Sequence, residues 1–285
     1  LLYKSGYEVV FLDIDSNTID RINKDNSYPI CIVSDDGIEK TYVKNVRAVN
    51  SNDTVSAVNE IYSADIMATS VGAGVLKYIA QTVAAAIEKR IKDNLPPLNI
   101  MLCENLNYAD KIFKELLFKY LSEDMIKVFD KNVGLIEASI GRMVPVFDKS
   151  EAENPLTVYV EPFDILHLDK DGFVGEIPQI KNVVTYSPFK YFMQRKLFIH
   201  NMCHAFCSYL GAVKGYNYIS EAISDSDIKY LVSMAGTSAA QAIALDNKED
   251  LALLLHFLYK LLYRFNNRNL KDTIARVGKD PLRKL

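Results

Sequence analysis

The fold is decided by the stretch Ala64-Asp-Ile-Met-Ala-Thr-Ser70-Val-Gly-Ala-Gly74, which leads through a helical pattern over residues 75–92 into Leu98-Asn-Ile-Met-Leu-Cys103. The two short apolar runs indicate buried strands, and the long segment between them has the apolar spacing of a helix. A strand, a loop, a helix and a second strand make up the unit from which parallel sheets are built. The stretch therefore predicts an α/β fold whose parallel sheet is covered on both faces.

The same alternation continues on both sides of this unit. Further apolar runs that indicate strands cover residues 7–13, 133–139, 158–160 and 183–185, and residues 109–120 have a helical pattern. After Pro188 only helical spacing is found, over residues 189–210, 225–245, 248–265 and 270–277. We therefore predict a Rossmann-like α/β domain over residues 1–187 and an all-α domain over residues 188–285.

The overall composition excludes several classes of protein. The 285 residues are 49% hydrophobic and 24% charged, and the net charge of −3 gives no sign of the basic face that nucleic-acid binders usually carry. No apolar run approaches the ~20 residues that a membrane span needs. Four cysteines in a chain of this length do not suggest a disulfide framework. We expect a cytoplasmic protein that binds neither nucleic acid nor membrane.

Polar residues concentrate in one otherwise apolar helical segment, Gln194-Arg-Lys-Leu-Phe-Ile-His-Asn-Met-Cys-His204. Lys196, His200 and His204 share one face at spacings of four residues, and Asn201 lies beside that face. Because the apolar neighbours indicate burial, these polar groups need partners or a chemical task.

Three interpretations of this segment stay open from the residues alone. The first is a metal site formed by His200, Cys203, His204 and Cys207, although four ligands on one straight helix cannot surround an ion tetrahedrally. The second is a core helix whose histidines are satisfied internally. The third is a metal-free site in which burial favours the neutral, basic form of Lys196. In that site the Asn201 amide would donate to an oxygen that gains negative charge, and a histidine would bind a substrate hydroxyl.

The first residues give an ambiguous signal for dinucleotide binding. Asp13 ends an apolar run, as does the acid that binds the adenosine ribose in dinucleotide-binding folds. That acid follows a glycine-rich loop by ~20 residues, whereas only Gly6 precedes Asp13, and residues 1–6 suggest the last turn of a helix with a glycine C-cap. Gly72 and Gly74 lack a third glycine, so they are a weak motif for close approach to a cofactor. A dinucleotide fold and an unrelated fold are equally compatible with these residues.

The spacing Lys196-x4-Asn201-x2-His204 resembles the catalytic motif of the polyol-specific long-chain dehydrogenases/reductases. Further segments agree with that family in order: FLDID (11–15), ADIMATSVG (64–72), PLNIMLCEN (97–105), VGLIEASIGRMVP (133–145), VYVEPF (158–163) and RFNNRNLKDTIARVGKDPLRKL (264–285). The resemblance covers essentially the whole chain. It implies that a first strand and a glycine loop are missing before Leu1 and that the helical domain is incomplete at its C-terminus.

The resemblance also implies an activity and a set of site residues. It implies an NAD-dependent oxidoreductase without a metal, with Lys196 as general base and Asn201, His204 and Asn105 as further catalytic residues. It places Asp13, Ser70 and Gly72 at the cofactor, and Asp13 favours NAD over NADP because a carboxylate repels a 2′-phosphate.

The final segment resembles the branch that interconverts mannitol 1-phosphate and fructose 6-phosphate, which makes Arg283 and Lys284 candidates for the substrate phosphate. The alternatives are a dehydrogenase of unphosphorylated mannitol or of a hexuronate, and a non-catalytic NAD-binding module or inactive fragment. This chain departs from the family at Gly141, where many relatives carry aspartate, and near Gly236 and Thr237, where relatives often carry glutamates. The sequence does not indicate an oligomeric state.

Overall fold

The computed structural model describes residues 1–144, 154–279 and 281. The chain forms two compact units that alternate along the sequence. The first comprises Leu1–Pro29, Tyr42–Ile140 and Ile165–Phe189, and the second comprises Ile30–Thr41, Gly141–Asp164 and Lys190–Leu285. Two interior segments therefore group with the second unit, whereas the sequence pattern predicts a single boundary at residue 187.

The described helices and strands follow one another in this order: β1 (Val9–Asp13), α1 (Ser16–Asp25), β2 (Ser27–Ser34), β3 (Gly37–Lys44), β4 (Val46–Asn50), α2 (Thr54–Ser63), β5 (Ile66–Thr69), α3 (Leu76–Lys92), β6 (Leu98–Leu102), α4 (Ala109–Phe118), α5 (Glu123–Asn132), β7 (Val133–Ile140), β8 (Val158–Val160), β9 (Leu166–Asp169), β10 (Val183–Tyr186), α6 (Lys190–Gln194), a π-helical turn (Arg195–Asn201), α7 (Met202–Val213), α8 (Ile219–Ser224), α9 (Ser226–Asn247), α10 (Leu251–Phe265) and α11 (Ile274–Val277).

The strands of the first unit pair mostly in parallel. β1 and β4 form a two-stranded sheet, and a five-stranded sheet has the strand order β10-β9-β7-β6-β5. The parallel pairs β5–β6 and β6–β7 place Ala68 opposite Met101 and Ile100 opposite Leu135. Every residue of β6 is buried, as expected for a central strand covered on both faces. The predicted α/β class is confirmed, but β7 and β9 pair antiparallel, so the sheet is mixed.

The core of the first unit lies between β6 and the helices on its faces. Ile87 of α3, Phe113 of α4 and Phe129 of α5 are fully buried in one cluster with Ile100 and Leu102. A 3₁₀ turn at Tyr3–Ser5 opens the chain and ends at Gly6, whose positive φ of 90° gives the predicted glycine C-cap.

The second unit is mainly helical and contains β8, which pairs in parallel with Ile30–Ile32 of β2. Helix α7 packs against α8, α9 and α11. The contact of α7 with α9 is close because Gly236 lacks a side chain: a Cβ there would lie 2.9 Å from the sulfur of Cys203 and 2.6 Å from Leu258.

The segment with the candidate catalytic residues is not one uniform α-helix. Between α6 and α7, residues Arg195–Asn201 form a π-helical turn, in which each N–H bonds to the carbonyl five residues back. At its start, the Arg195 guanidinium lies 4.4 Å from the ring centres of both Phe192 and Phe257. In a π-helical turn the backbone hydrogen bonds join residues five apart, the spacing of Lys196 and Asn201, and not residues four apart as in an α-helix.

Candidate active site

The π-helical turn carries Lys196 at its beginning and Asn201 at its end. Lys196 is only 8% exposed and His200 only 7%. Burial lowers the pKa of His200 well below its usual value, and the electrostatic effect of His204, Arg264, Lys196 and Arg195 lowers it further. His200 is therefore a neutral imidazole at physiological pH, and this site disfavours additional positive charge.

His204, one turn after His200, is held by two neighbours. Its Nε2 atom lies 3.0 Å from Oδ2 of Asp272, and its ring stacks on Phe265 at 4.7 Å between centroids. Asp272 is 6% exposed, and its Oδ1 accepts hydrogen bonds from Nε and Nη2 of Arg276 at 2.9 and 2.6 Å. Burial opposes ionisation of Asp272, but the hydrogen bond from His204 and the charge of Arg276 outweigh it and lower the pKa of this carboxyl.

A second buried ion pair lies near His200. Nε of Arg264 donates to Oε2 of Glu161 at 2.7 Å, and its Nη2 donates to the carbonyl of Gly141. The guanidinium also lies 4.2 Å from the ring centre of Phe163. A Cβ at Gly141 would lie 3.4 Å from that ring and 4.0 Å from Nδ1 of His200. A side chain at position 141 would thus lie against both Phe163 and His200.

The cofactor residues expected from the sequence lie at the carboxyl ends of two strands of the first unit. Asp13 ends β1, and its Oδ1 accepts from the backbone amides of Ile14 and Asp15 at 2.7 and 3.0 Å. Ser70 and Gly72 follow β5 in an exposed loop, and Gly72 has a positive φ of 89°. Ligands bind at this edge in open α/β sheets.

Sequence reasoning missed the residue that shapes this loop, Glu104. Its carboxylate is 3% exposed and accepts from the amides of Val71 and Gly72 at 3.0 and 2.8 Å. These two amides therefore already donate to Glu104, and a ligand can contact the loop only at its exposed outer surface. The available signal was a charged residue two positions after the mostly apolar strand β6.

Asn105 follows Glu104 and is exposed. It does not cap the next helix, because the N-cap of α4 is Tyr108 and the amide of Ala109 donates to the Glu137 carboxylate at 3.0 Å. Burial, and next the charge of Asp110, raise the pKa of Glu137. The structure thus places Asn105 in the first unit and Lys196, Asn201 and His204 together in the second. Arg283 and Lys284 lie outside the described residues.

The metal interpretation finds no support in the cysteines. Burial raises the pKa of both Cys203 and Cys207 to about 12, so neither is a thiolate at neutral pH. Over residues 1–144 and 154–279, no group of three or more histidine, cysteine, aspartate or glutamate side chains is arranged to hold a metal ion. Nor is any described helix both long and apolar enough to cross a membrane.

Two family models together match nearly the whole chain: the mannitol dehydrogenase Rossmann domain over residues 1–182 and the mannitol dehydrogenase C-terminal domain over residues 189–285. The chain belongs to the mannitol dehydrogenase family. Among curated members, mannitol-1-phosphate 5-dehydrogenase of Clostridium acetobutylicum is 38% identical over 287 residues and that of Thermoanaerobacter pseudethanolicus 37%, each match covering all of this chain and 73% of the relative.

Solved structures of the mannitol dehydrogenase family share the fold. The ternary complex of Pseudomonas fluorescens mannitol 2-dehydrogenase with NAD and D-mannitol has a TM-score of 0.76 at 16% identity, covering 95% of this chain and 65% of that one. A substrate-free D-sorbitol dehydrogenase has a TM-score of 0.78 at 14% identity, with 98% and 67% covered. The expected family and fold class are confirmed.

Proposed function

We propose that this protein is an NAD-dependent polyol dehydrogenase that interconverts mannitol 1-phosphate and fructose 6-phosphate, with Lys196 as general base. The observation that carries the proposal is the buried Lys196 in a widened helical turn that also holds Asn201, with His204 fixed one turn later. The relatives named mannitol-1-phosphate 5-dehydrogenase support the choice of substrate, since this chain aligns with them over its full length.

Lys196 accepts the proton of the substrate hydroxyl during oxidation. Its burial disfavours the ammonium form, because a charged amine loses more hydration than a neutral one when it is removed from water. A lysine whose neutral form is favoured in this way is suited to take a proton near neutral pH. In the reverse direction the protonated amine returns the proton to the oxygen of the ketone.

Amide groups stabilise the charge that develops on the reacting oxygen. Asn201 donates from the turn that carries Lys196, and Asn105 is the second proposed amide donor. His204 binds a second hydroxyl of the sugar chain.

NAD⁺, when bound, accepts the hydride from the carbon that bears the hydroxyl. The carboxyl edge of the first unit fits such a cofactor, because Asp13 ends β1 with a carboxylate and Gly72 leaves open space around its backbone. The Asp13 carboxylate would accept hydrogen bonds from the ribose hydroxyls, and Ser70 and Gly72 would contact the cofactor after β5.

The test is the oxidation of NADH with fructose 6-phosphate and, separately, with unphosphorylated fructose. We expect turnover of fructose 6-phosphate, and Lys196→Met, which keeps the volume of the buried side chain, to lower kcat by about 10²–10⁴. Lys190→Met is the matched control, since Lys190 is exposed six residues earlier and its Nζ lies 2.7 Å from Oδ2 of Asp246.

Three outcomes would contradict the proposal. If Lys196→Met keeps most of the activity, the assignment of the base is wrong. If fructose is reduced as well as fructose 6-phosphate, the enzyme belongs with the branch that acts on free polyols. If the parent protein turns over neither substrate, the chain is a binding module and the proposed reaction falls.

A further inference from the structure

Four side chains of the second unit form a connected row that ends at His204. Arg276 donates twice to Oδ1 of Asp272, Oδ2 of Asp272 meets Nε2 of His204, and the His204 ring stacks on Phe265 with an interplanar angle of 20°. The backbone carbonyl of Asp272 is fixed as well, by the amide of Ile219 at 2.9 Å. The position of the His204 ring, its rotation and its plane are thus all determined before any ligand binds.

This row also determines which nitrogen of His204 carries a proton. An ionised carboxylate has only acceptor atoms, so the nitrogen facing Oδ2 must be the donor. Arg276 has only donor atoms and binds the other oxygen, and its positive charge favours the ionised carboxylate, which has no hydroxyl to present to the ring. A neutral imidazole with its proton on Nε2 has a lone pair on Nδ1.

We infer that Asp272 is a positioning residue, which holds the proton of His204 on Nε2 and thereby makes Nδ1 an acceptor for a substrate hydroxyl. The inference rests on the proposed function for the identity of the substrate, and it specifies that His204 accepts rather than donates. A hydroxyl that donates to His204 keeps its oxygen lone pairs available for other donors. The charged and titratable groups facing this pair are Arg276 on the side of Asp272 and the neutral His200, 6.0 Å away between ring centroids.

Asp272→Asn tests this role with little change in shape. Arg276 offers only donors, so the asparagine oxygen stays with Arg276 and its NH₂ group turns to His204. Nε2 must then accept, and the proton moves to Nδ1. In the double variant Asp272→Asn/Arg276→Met the amide is free to turn its oxygen to His204, which restores the original tautomer. Arg276→Met alone keeps the carboxylate and is the matched control.

The tautomer is read from the ring nitrogen shifts of the full chain labelled with ¹⁵N-histidine. The chain has four histidines, and His204→Gln assigns the signal. We expect Nε2–H in the parent and in Arg276→Met, Nδ1–H in Asp272→Asn, and Nε2–H again in the double variant. The KM for fructose 6-phosphate should rise about tenfold in Asp272→Asn and recover in the double variant, as expected for one lost hydrogen bond. The KM for NADH and the melting temperature should change little.

The inference is overturned if the parent carries its proton on Nδ1 or on both nitrogens at neutral pH, or if Asp272→Asn leaves the tautomer unchanged. It is also overturned if the tautomer moves while the KM for fructose 6-phosphate does not. The NMR measurement needs no substrate. A parent protein that shows the Nε2–H tautomer but does not reduce fructose 6-phosphate therefore contradicts the proposed function and not the assignment of the proton.

Discussion

Asp13 is the single residue on which the choice of cofactor depends. Its carboxylate caps the turn after β1 through Oδ1, which fixes a negative charge at the edge where a cofactor ribose would lie. We expect Asp13→Asn to lower the preference for NADH over NADPH by about five- to tenfold, because one repulsive charge at contact distance is removed. The ratio of the two kcat/KM values measures this.

Asp15→Asn is the control for Asp13, since Asp15 is an exposed N-cap of α1 and asparagine caps as well as aspartate. A shift of the same size in the control would show that general charge, and not the position of Asp13, sets the preference. If the parent enzyme prefers NADPH, the assignment of Asp13 to the cofactor ribose is wrong.

The residues of the candidate site differ in how far the sequence could reveal them. Lys196, Asn201 and His204 are close in sequence, so a local motif suffices to propose them together. Asp272 lies 68 positions after His204, and no periodicity links the two. Glu104 stands next to the predicted Asn105, but nothing in the sequence shows that its carboxylate reaches back to the amides of Val71 and Gly72.

At the scale of elements, helix α9 depends on the carboxylate that starts it. Asp225 accepts from the amides of Asp227 and Ile228 and from Nζ of Lys214 and the hydroxyl of Tyr216. The hydrogen bond from Lys214 is the main cause that lowers the pKa of Asp225 to about 2. Because the pKa is lower in the folded state, this carboxylate stabilises the fold above pH ~4 and the stabilisation disappears as the pH falls towards 2.

We therefore expect Asp225→Ala to lower the melting temperature by a few degrees at pH 7. The difference from the parent should shrink between pH 4 and pH 2. Asp227→Ala is the control, because Asp227 shares the contact with Lys214 at 3.0 Å but caps no helix. A difference between Asp225→Ala and the parent that persists unchanged at pH 2 would show that the charge of Asp225 is not responsible.

Elements with continuous apolar runs were the ones that the sequence predicted well. β6, buried at every position, was expected within one residue of its observed end. β3 was missed because most of its residues are exposed and it includes charged side chains, so neither an apolar run nor a clear alternation marks it. The π-helical turn was missed because its residues keep an apolar pattern that also suits an α-helix.

At the scale of the whole molecule, a phosphorylated substrate must find cations on a chain whose net charge is −3. Arg283 and Lys284 remain the proposed phosphate ligands, since guanidinium and ammonium groups bind phosphate directly. Replacing both with alanine should raise the KM for fructose 6-phosphate by at least tenfold and leave the KM for NADH nearly unchanged, as measured by steady-state kinetics.

Arg268→Gln/Lys279→Gln removes the same charge from exposed positions of the same segment. If this control raises the KM as much, the phosphate responds only to overall charge. If neither pair of substitutions raises the KM, the phosphate site lies elsewhere.

The sequence pattern could not predict that residues 30–41 and 141–164 group with the helical unit. That grouping depends on pairings between distant segments, such as that of Ile30–Ile32 with Val158–Val160.

The π-helical turn has a consequence for insertions and deletions. Removing one residue between Lys196 and Asn201 would let the backbone return to ordinary α-helical hydrogen bonding. It would also rotate everything that follows by about 100°, the angle between successive residues of an α-helix. Cys203, Cys207 and Gly211, which are buried against neighbouring helices, would then leave their contacts. Homologous proteins can therefore differ in side chains between Lys196 and Asn201, but the number of residues between these two positions is fixed.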